Sequence, residues 1–253
     1  MMAHREEVLV KPYLKLAEIY DDVMSHVDYK KWANYLHQII NEWQPHCRSL
    51  LDIGAGTGSF LINLKLKNAD LFGFDNCFEM ISIAKKKKSH TANISFFQSD
   101  MISFHLKKKF DVVVCLYDSI NYLLNFDLWQ QAFIRVKNTL NGKGIFVFDV
   151  CTEKNSVKYF DNYSERNSGH NYEYTRNSSY DRKERIHKNE FIISFQHESA
   201  KYIERHKQKI FLIEEILQFI NSTKFKLLGC FDGYSFKAGS EDSLRVHFIL
   251  QTG

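Results

Sequence analysis

The stretch LLDIGAGTGSF, residues 50–60, sets Gly54, Gly56 and Gly58 at alternate positions behind an apolar run that ends in Asp52. Glycines crowded at the end of a strand let a ligand approach the backbone where a Cβ would stand. A dinucleotide fingerprint needs a third glycine where this chain has Ser59, and no Gly-Lys-Ser/Thr follows to make a phosphate loop. The spacing therefore suits a ligand without a pyrophosphate, whose amino-acid end lays a carboxylate on backbone N–H groups and an ammonium near an acid. Two more acids stand at matching places. Asp75 closes the apolar run LFGFD, 21 positions after Gly54, the distance at which an acid reaches a ribose hydroxyl. Asp100 closes FFQSD with Met101 behind it, placed to accept from an adenine amino group and to pack on its ring. Acids at three successive run ends point to S-adenosylmethionine.

These residues need a parallel sheet to bring them together. Short apolar runs at 49–53, 70–75, 94–98, 110–116 and 144–149 read as strands, and helical patterns at 60–67, 78–88 and 127–140 lie between them. That alternation gives an α/β fold with a doubly wound, Rossmann-like sheet. Ahead of it, residues 13–43 carry apolar residues at helical spacing and end before Pro45, which predicts two helices, with Tyr13 and Tyr20 on one helical face. Behind it, residues 170–211 alternate aromatic and β-branched residues with charges, the pattern of long antiparallel strands with one wet face. A helix at 213–222 and strands at 225–231 and 245–251 resume the first rhythm. The expected organisation is a helical cap over 1–48, a cofactor-binding core over 49–154, an inserted antiparallel β lid over 155–211 on the substrate side, and a helix with two strands over 212–253 that complete the core sheet.

Composition excludes several classes. A chain of 253 residues with 34 basic and 30 acidic side chains and a net charge of +4 lacks the concentrated basic stripe of a nucleic-acid binder. The lysine clusters at 85–88 and 107–109 read as solvated faces. Five widely spaced cysteines with no C-x-x-C pair suit free thiols in a reducing cytosol. No apolar run approaches the roughly 20 residues of a membrane helix. Histidines and cysteines show no metal-ligand spacing, so no metal is expected.

The run from Leu50 to Leu123 resembles the class I S-adenosylmethionine-dependent methyltransferases. The segments AEIYDDVMSHVDYKKW, LYDSINYL and IERHKQKIF resemble the small-molecule branch that holds the aminosugar N-methyltransferases and glycine N-methyltransferase. The resemblance implies a seven-stranded sheet with its last strand antiparallel, with S-adenosyl-L-methionine as cofactor and S-adenosyl-L-homocysteine as product. It implies Asp52, Gly54 and Gly56 at the methionine end, Asp75 with Asn76 at the ribose, and Asp100 with Met101 at the adenine. Tyr13, Tyr20, Met80 and Leu116 complete the implied cofactor wall.

Methyl transfer from a sulfonium is an in-line displacement, so the protein mainly aligns the nucleophile and excludes water, with proton removal secondary. Tyr20, Tyr122 and His206 are the expected catalytic residues. The aminosugar branch has a histidine where this chain has Tyr122, and a phenol with a pKa near 10 is a poor base. An imidazole titrates near neutrality, which favours His206 for that step. Tyr117, Asn121 and Tyr122 after the fourth strand are expected at the acceptor. Arg176 and Arg205, among Tyr172, Tyr174 and Arg185 in the lid, are expected to meet an acidic group such as a nucleotide-sugar pyrophosphate. The segment DSIN offers no Asn/Asp-Pro-Pro-aromatic grip for a flipped base, and Cys115 has no preceding proline as cytosine-C5 chemistry requires. The expected partner is thus a small-molecule methyl acceptor at N or O, taken by a cytoplasmic monomer or homodimer without membrane contact. Alternatives are a tRNA or rRNA methyltransferase and a catalytically silent S-adenosylmethionine-binding subunit.

Overall fold

A computed structural model describes residues 5–88 and 93–253. The N-terminal segment runs from strand β1 (Glu6–Val10) through a 3-10 turn at Leu16–Ile19 and one helical turn at Tyr20–Val23 to helix α1 (Tyr29–Trp43). Strand β2 (Ser49–Ile53) leads into α2 (Ser59–Leu64), β3 (Asp70–Asp75) into α3 (Phe78–Lys87), and β4 (Ile94–Gln98) precedes β5 (Phe110–Cys115). Helix α4 (Phe126–Thr139) returns the chain to β6 (Leu140–Cys151). Then come β7 (Tyr163–Ser168), β8 (Tyr172–Asp181), β9 (Ile186–Phe195), β10 (Ala200–Lys209), helix α5 (Ile213–Ser222), β11 (Phe225–Asp232) and β12 (Arg245–Thr252).

Seven strands form one sheet in the order β11-β12-β6-β5-β2-β3-β4. All pairings are parallel except those of β12, which is antiparallel to both neighbours. Uninterrupted apolar runs make the central strands, because helices cover both faces. On one face α4 and α5 bury Trp129, Phe133 and Phe219 against Phe146, Phe148 and Phe248. On the other, α1 and α2 bury Leu36, Ile39 and Leu61 against Leu50, Val112 and Val114. The Asp28 carboxylate caps α1 by accepting from Lys31 N–H at 2.9 Å, and the Asn125 side chain caps α4 from Leu128 N–H at 3.0 Å.

The second sheet, β1-β10-β9-β8-β7, lies over the carboxyl ends of the core strands. It is antiparallel except for β1, which pairs parallel with β10 from Glu6 opposite Ala200 to Val10 opposite Glu204. The lid of expected antiparallel strands is therefore completed by a strand from the N-terminus. That segment corrects a second expectation. Residues 13–19 do not form a regular α-helix, and Tyr13 takes a left-handed φ of 66° ahead of the 3-10 turn. Tyr13 and Tyr20 are thus not related by helical periodicity, although their rings meet edge to face at 5.9 Å. Among the described residues no helix is long and apolar enough to cross a membrane.

Candidate active site

The ends of β2, β3, β4 and β5, the N-terminal segment and the inner face of the lid enclose a cavity of about 840 Å³, within the range of small-molecule sites. Its floor is the loop after β2. Gly54, Gly56 and Gly58 have φ of 75°, 54° and 75°, a region that L side chains rarely enter. A Cβ on Gly54 would stand 2.9 Å from Ser119 Oγ, and one on Gly58 would stand 2.5 Å from the Phe96 ring. Both glycines are therefore fixed by packing as well as by backbone shape.

The loop's amides are used differently from the sequence expectation. Gly54 and Ala55 both donate to Phe74 O at 2.9 Å, and Gly58 donates to Ala55 O at 2.9 Å. Gly56 N–H donates to Asp75 Oδ2 at 3.0 Å, while Asp75 Oδ1 accepts from Cys77 N–H at 2.9 Å. Gly54 and Gly56 thus serve by close approach, their N–H groups being engaged within the protein. Asp75 is locked in place at the end of β3. Burial raises its carboxyl pKa, opposed by these amides.

Asp52 contrasts with Asp75. It is 3 % exposed, and among the described residues its carboxylate has no hydrogen-bond or ion-pair partner. Burial, then the charge of Asp75, pushes its pKa well above the carboxylate range. A buried carboxylate without a partner fits a cationic ligand, and the glycine cradle beside it fits a close-packed one. Asp100 turns the chain after β4, its Oδ1 accepting from Ile102 N–H at 2.8 Å. Asn76, Met80, Met101 and Leu116 line the same cavity.

Above this floor stands a hydrogen-bonded series. Tyr13 Oη lies 2.5 Å from Tyr122 Oη, and Tyr122 Oη lies 3.0 Å from His206 Nδ1. Burial raises the phenol pKa of Tyr13, Tyr20 and Tyr122, so all three stay protonated at neutral pH. Either hydroxyl of the Tyr13–Tyr122 pair can donate to the other. The contact with Tyr122 engages Nδ1 on one side of the imidazole and leaves Nε2 on the other. That nitrogen is buried, 3.4 Å from Glu204 Oε2, without the angle of a hydrogen bond.

Strand parity decides which lid residues reach the cavity. On β10, Glu204, His206 and Gln208 are buried while Arg205 and Lys207 are exposed. Arg205 therefore faces solvent, where Nε binds Glu190 at 2.8 Å, and its expected substrate role is withdrawn. Adjacent positions on one strand cannot both face inward. Arg185 is likewise held elsewhere, by Glu215 at 2.7 Å. Arg176 does line the cavity. Its Nε donates to Asn189 Oδ1 at 2.9 Å, and its guanidinium lies over the rings of Phe160 and Phe191 at 4.8 and 5.5 Å. Among the described residues no carboxylate pairs with it.

Asn121 is a second correction. It is fully buried, donating to Lys209 O at 2.7 Å and accepting from Cys151 N–H at 3.2 Å, so it braces the sheets and does not line the cavity. Its neighbours Tyr117 and Tyr122 do line it. Tyr117 and Asp118 hold left-handed φ of 58° and 51° because the Asp149 carboxylate accepts both their N–H groups, at 2.6 and 3.0 Å. Arg245 bridges Asp149 and Asp118, and Gln208 Nε2 reaches Asp118 Oδ2 at 2.5 Å.

This brace was invisible in sequence, because Arg245 and Asp149 lie almost a hundred residues apart. Gln208 and Glu204 had a signal in the period of two around His206. Lys87, expected on a solvated face, instead binds Asp21 at 2.7 Å and Ser59 Oγ at 2.6 Å.

Residues 50–144 match the family described as methyltransferase domain. YqeM of Bacillus subtilis (strain 168), named as an inferred methyltransferase, is 28 % identical over 94 % of this chain and 96 % of its own. The crystal structure of an S-adenosylmethionine-dependent methyltransferase from Clostridium acetobutylicum ATCC 824 superposes with a TM-score of 0.81 at 24 % identity. That match covers 95 % of this chain and 99 % of that one. The sugar N-methyltransferase KedS8 from Streptoalloteichus sp ATCC 53650 superposes with a TM-score of 0.72 at 21 % identity, over 91 % and 92 % of the two chains.

Proposed function

The chain belongs to the S-adenosylmethionine-dependent methyltransferases, and from that premise we propose that it methylates an amine or hydroxyl of a small molecule bearing an anionic group. The observation that carries the reading is the Tyr122 hydroxyl. It is hydrogen-bonded to His206 and Tyr13 inside the cavity that also holds the glycine loop, Asp52 and Asp75.

Asp52 is the acid for the ligand's ammonium, Asp75 and Asn76 for its ribose, and Asp100 with Met101 for its adenine. Met80, Leu116, Tyr13 and Tyr20 close the apolar wall. Bound there, S-adenosylmethionine supplies an electrophilic methyl group on a cationic sulfur, so departure of the thioether needs no acid. The protein's remaining tasks are alignment, dryness and the acceptor's proton. Tyr13, Tyr20 and Tyr122 exclude water as neutral phenols. Tyr122 orients the acceptor through its hydroxyl, and His206 Nδ1, directly behind it, receives the proton that the acceptor nitrogen or oxygen gives up.

Arg176 is a cation on the cavity wall that no carboxylate pairs with among the described residues, held by Asn189 and two rings and available to an acidic group on the acceptor. The cavity's volume of about 840 Å³ suits a small-molecule acceptor beside the cofactor. A cytosolic setting belongs to the same reading, supported by five unpaired cysteines.

Calorimetry with S-adenosylmethionine, followed by methyl transfer from labelled cofactor to a panel of anionic amines and alcohols, tests the proposal. Binding plus transfer to acidic members of the panel is expected. Cofactor binding without transfer to any member would favour a silent binding subunit, and no binding would overturn the reading at its base.

A further inference from the structure

We propose that Glu204 is a positioning residue that ties the N-terminal segment to the lid and, through it, sets Tyr13, Tyr122 and His206 in register over the cofactor pocket. The inference rests on the reading of that pocket given above. Glu204 is 0 % exposed, yet no lysine or arginine meets it among the described residues. Its carboxylate instead collects backbone donors from about 190 residues earlier in the chain. Oε2 accepts from Tyr13 N–H at 2.6 Å, and Oε1 accepts from Lys15 N–H at 2.6 Å and Leu16 N–H at 2.9 Å.

The first turn of any helix leaves donors without intrahelical partners. The turn at Leu16–Ile19 has no side-chain cap of its own, since Lys15 at its cap position makes none. Glu204 supplies that cap from another sheet. Two oxygens serving three N–H groups need a carboxylate, and hydrogen bonds to a charged acceptor are the stronger kind. They also hold Tyr13 at its left-handed φ of 66°, a shape that persists only when its surroundings fix it.

The consequence reaches the site directly. Held in this way, Tyr13 places its hydroxyl on Tyr122, and the same Oε2 stands 3.4 Å from His206 Nε2. Strand β1 enters the lid in line with this anchor, with Val10 opposite Glu204. The far end of the segment is fastened to the glycine loop, where Asp21 Oδ1 accepts from Thr57 Oγ1 at 2.6 Å. The cofactor wall between these anchors is therefore only as ordered as Glu204 makes it.

Glu204→Gln tests this, because the amide keeps one acceptor and turns a donor toward backbone N–H groups. Amide hydrogen exchange at Tyr13, Lys15 and Leu16 is expected to accelerate by about tenfold or more, with S-adenosylmethionine affinity falling about tenfold. Turnover should fall as well, with the acceptor KM unchanged. Unchanged exchange and affinity would overturn the assignment, as would acceleration spread evenly over β8, β9 and β10, the mark of a merely structural residue. If the variant does not fold, the unaltered protein decides. Tyr13, Lys15 and Leu16 amides exchanging as fast as open loop amides would remove the anchor, and slow exchange would support it. Failure of the unaltered protein to bind S-adenosylmethionine would overturn the functional reading, while the exchange pattern would still judge Glu204.

Discussion

Asp52 and His206 sit on either side of the same cavity and make opposite demands on the protein. Asp52 is desolvated with no protein partner, so its ionised form costs stability in the free protein and is recovered only by a cationic ligand. A carboxyl whose folded pKa is raised stabilises the fold at low pH, and that contribution is lost as pH rises through the folded value. The ligand-free protein should therefore lose stability across that window while affinity for the cofactor rises. Asp52→Asn should abolish both slopes, stabilise the free protein by about 1–3 kcal/mol and weaken cofactor binding. Paired melting and calorimetry over pH check it, and a variant with unchanged affinity would remove Asp52 from the site. His206 is tested by turnover. His206→Ala should lower kcat about 100-fold, within the range of general-base effects, while cofactor affinity stays within about twofold. Tyr122→Phe should cost less, since the phenol orients and does not take the proton for good. A kcat unaffected by His206→Ala would leave proton transfer to solvent.

The lid presents residues to the cavity through the alternation of its strands, and that alternation explains why some of the site was legible and some was not. The core strands β2, β3 and β4 fall on the residues that apolar runs marked, because strands buried on both faces advertise themselves. The acids at their ends followed at once. The lid strands were recognised by period but not by phase: the pattern around 200–209 places residues on two faces without saying which face is inward. Arg205 and His206 were therefore both expected at the site, and pairing with β9 turned one of them out. The exposed N-terminal strand β1 could not be read at all, since its alternation is weak and its partner lies about 190 residues away. Phase yields a clean comparison. Arg176→Ala should raise the acceptor KM about tenfold or more, the worth of a charged hydrogen bond, with cofactor affinity unaltered. Arg205→Ala, which loses only a surface pair with Glu190, should change neither constant. Equal effects from both variants would mean that the acceptor approaches the lid from its outer face.

At the scale of the whole molecule, the behaviour in acid depends on histidines remote from the glycine loop. His247 is 0 % exposed on β12, enclosed by Trp32, Tyr35 and Tyr234, and neither ring nitrogen has a hydrogen-bond partner among the described residues. Burial, then the charge of Arg245, lowers its pKa to about 3. His187 on β9 is lowered to about 4, chiefly by burial. A depressed folded pKa gives stability that is present above the unfolded value and lost as pH falls through the folded one. Each histidine therefore costs on the order of 1.4 kcal/mol per pH unit between about 6.5 and its folded pKa. Asp52 and Asp149 have raised values and act in the opposite sense over part of that window, so the absolute melting curve mixes the two. The difference between two proteins does not. His247→Phe keeps an aromatic ring in an aromatic enclosure and deletes one depressed group, leaving every carboxylate in place. Its melting temperature should match the parent near pH 7.5 within the cost of repacking, and should exceed it progressively from about pH 6 downward. The expected gap is about 2–4 °C for each kcal/mol withheld from the unfolded state. A gap that stays constant from pH 7.5 to 4 would show that His247 is protonated equally in both states, and the acid sensitivity would then have to come from His187 and the carboxylates alone.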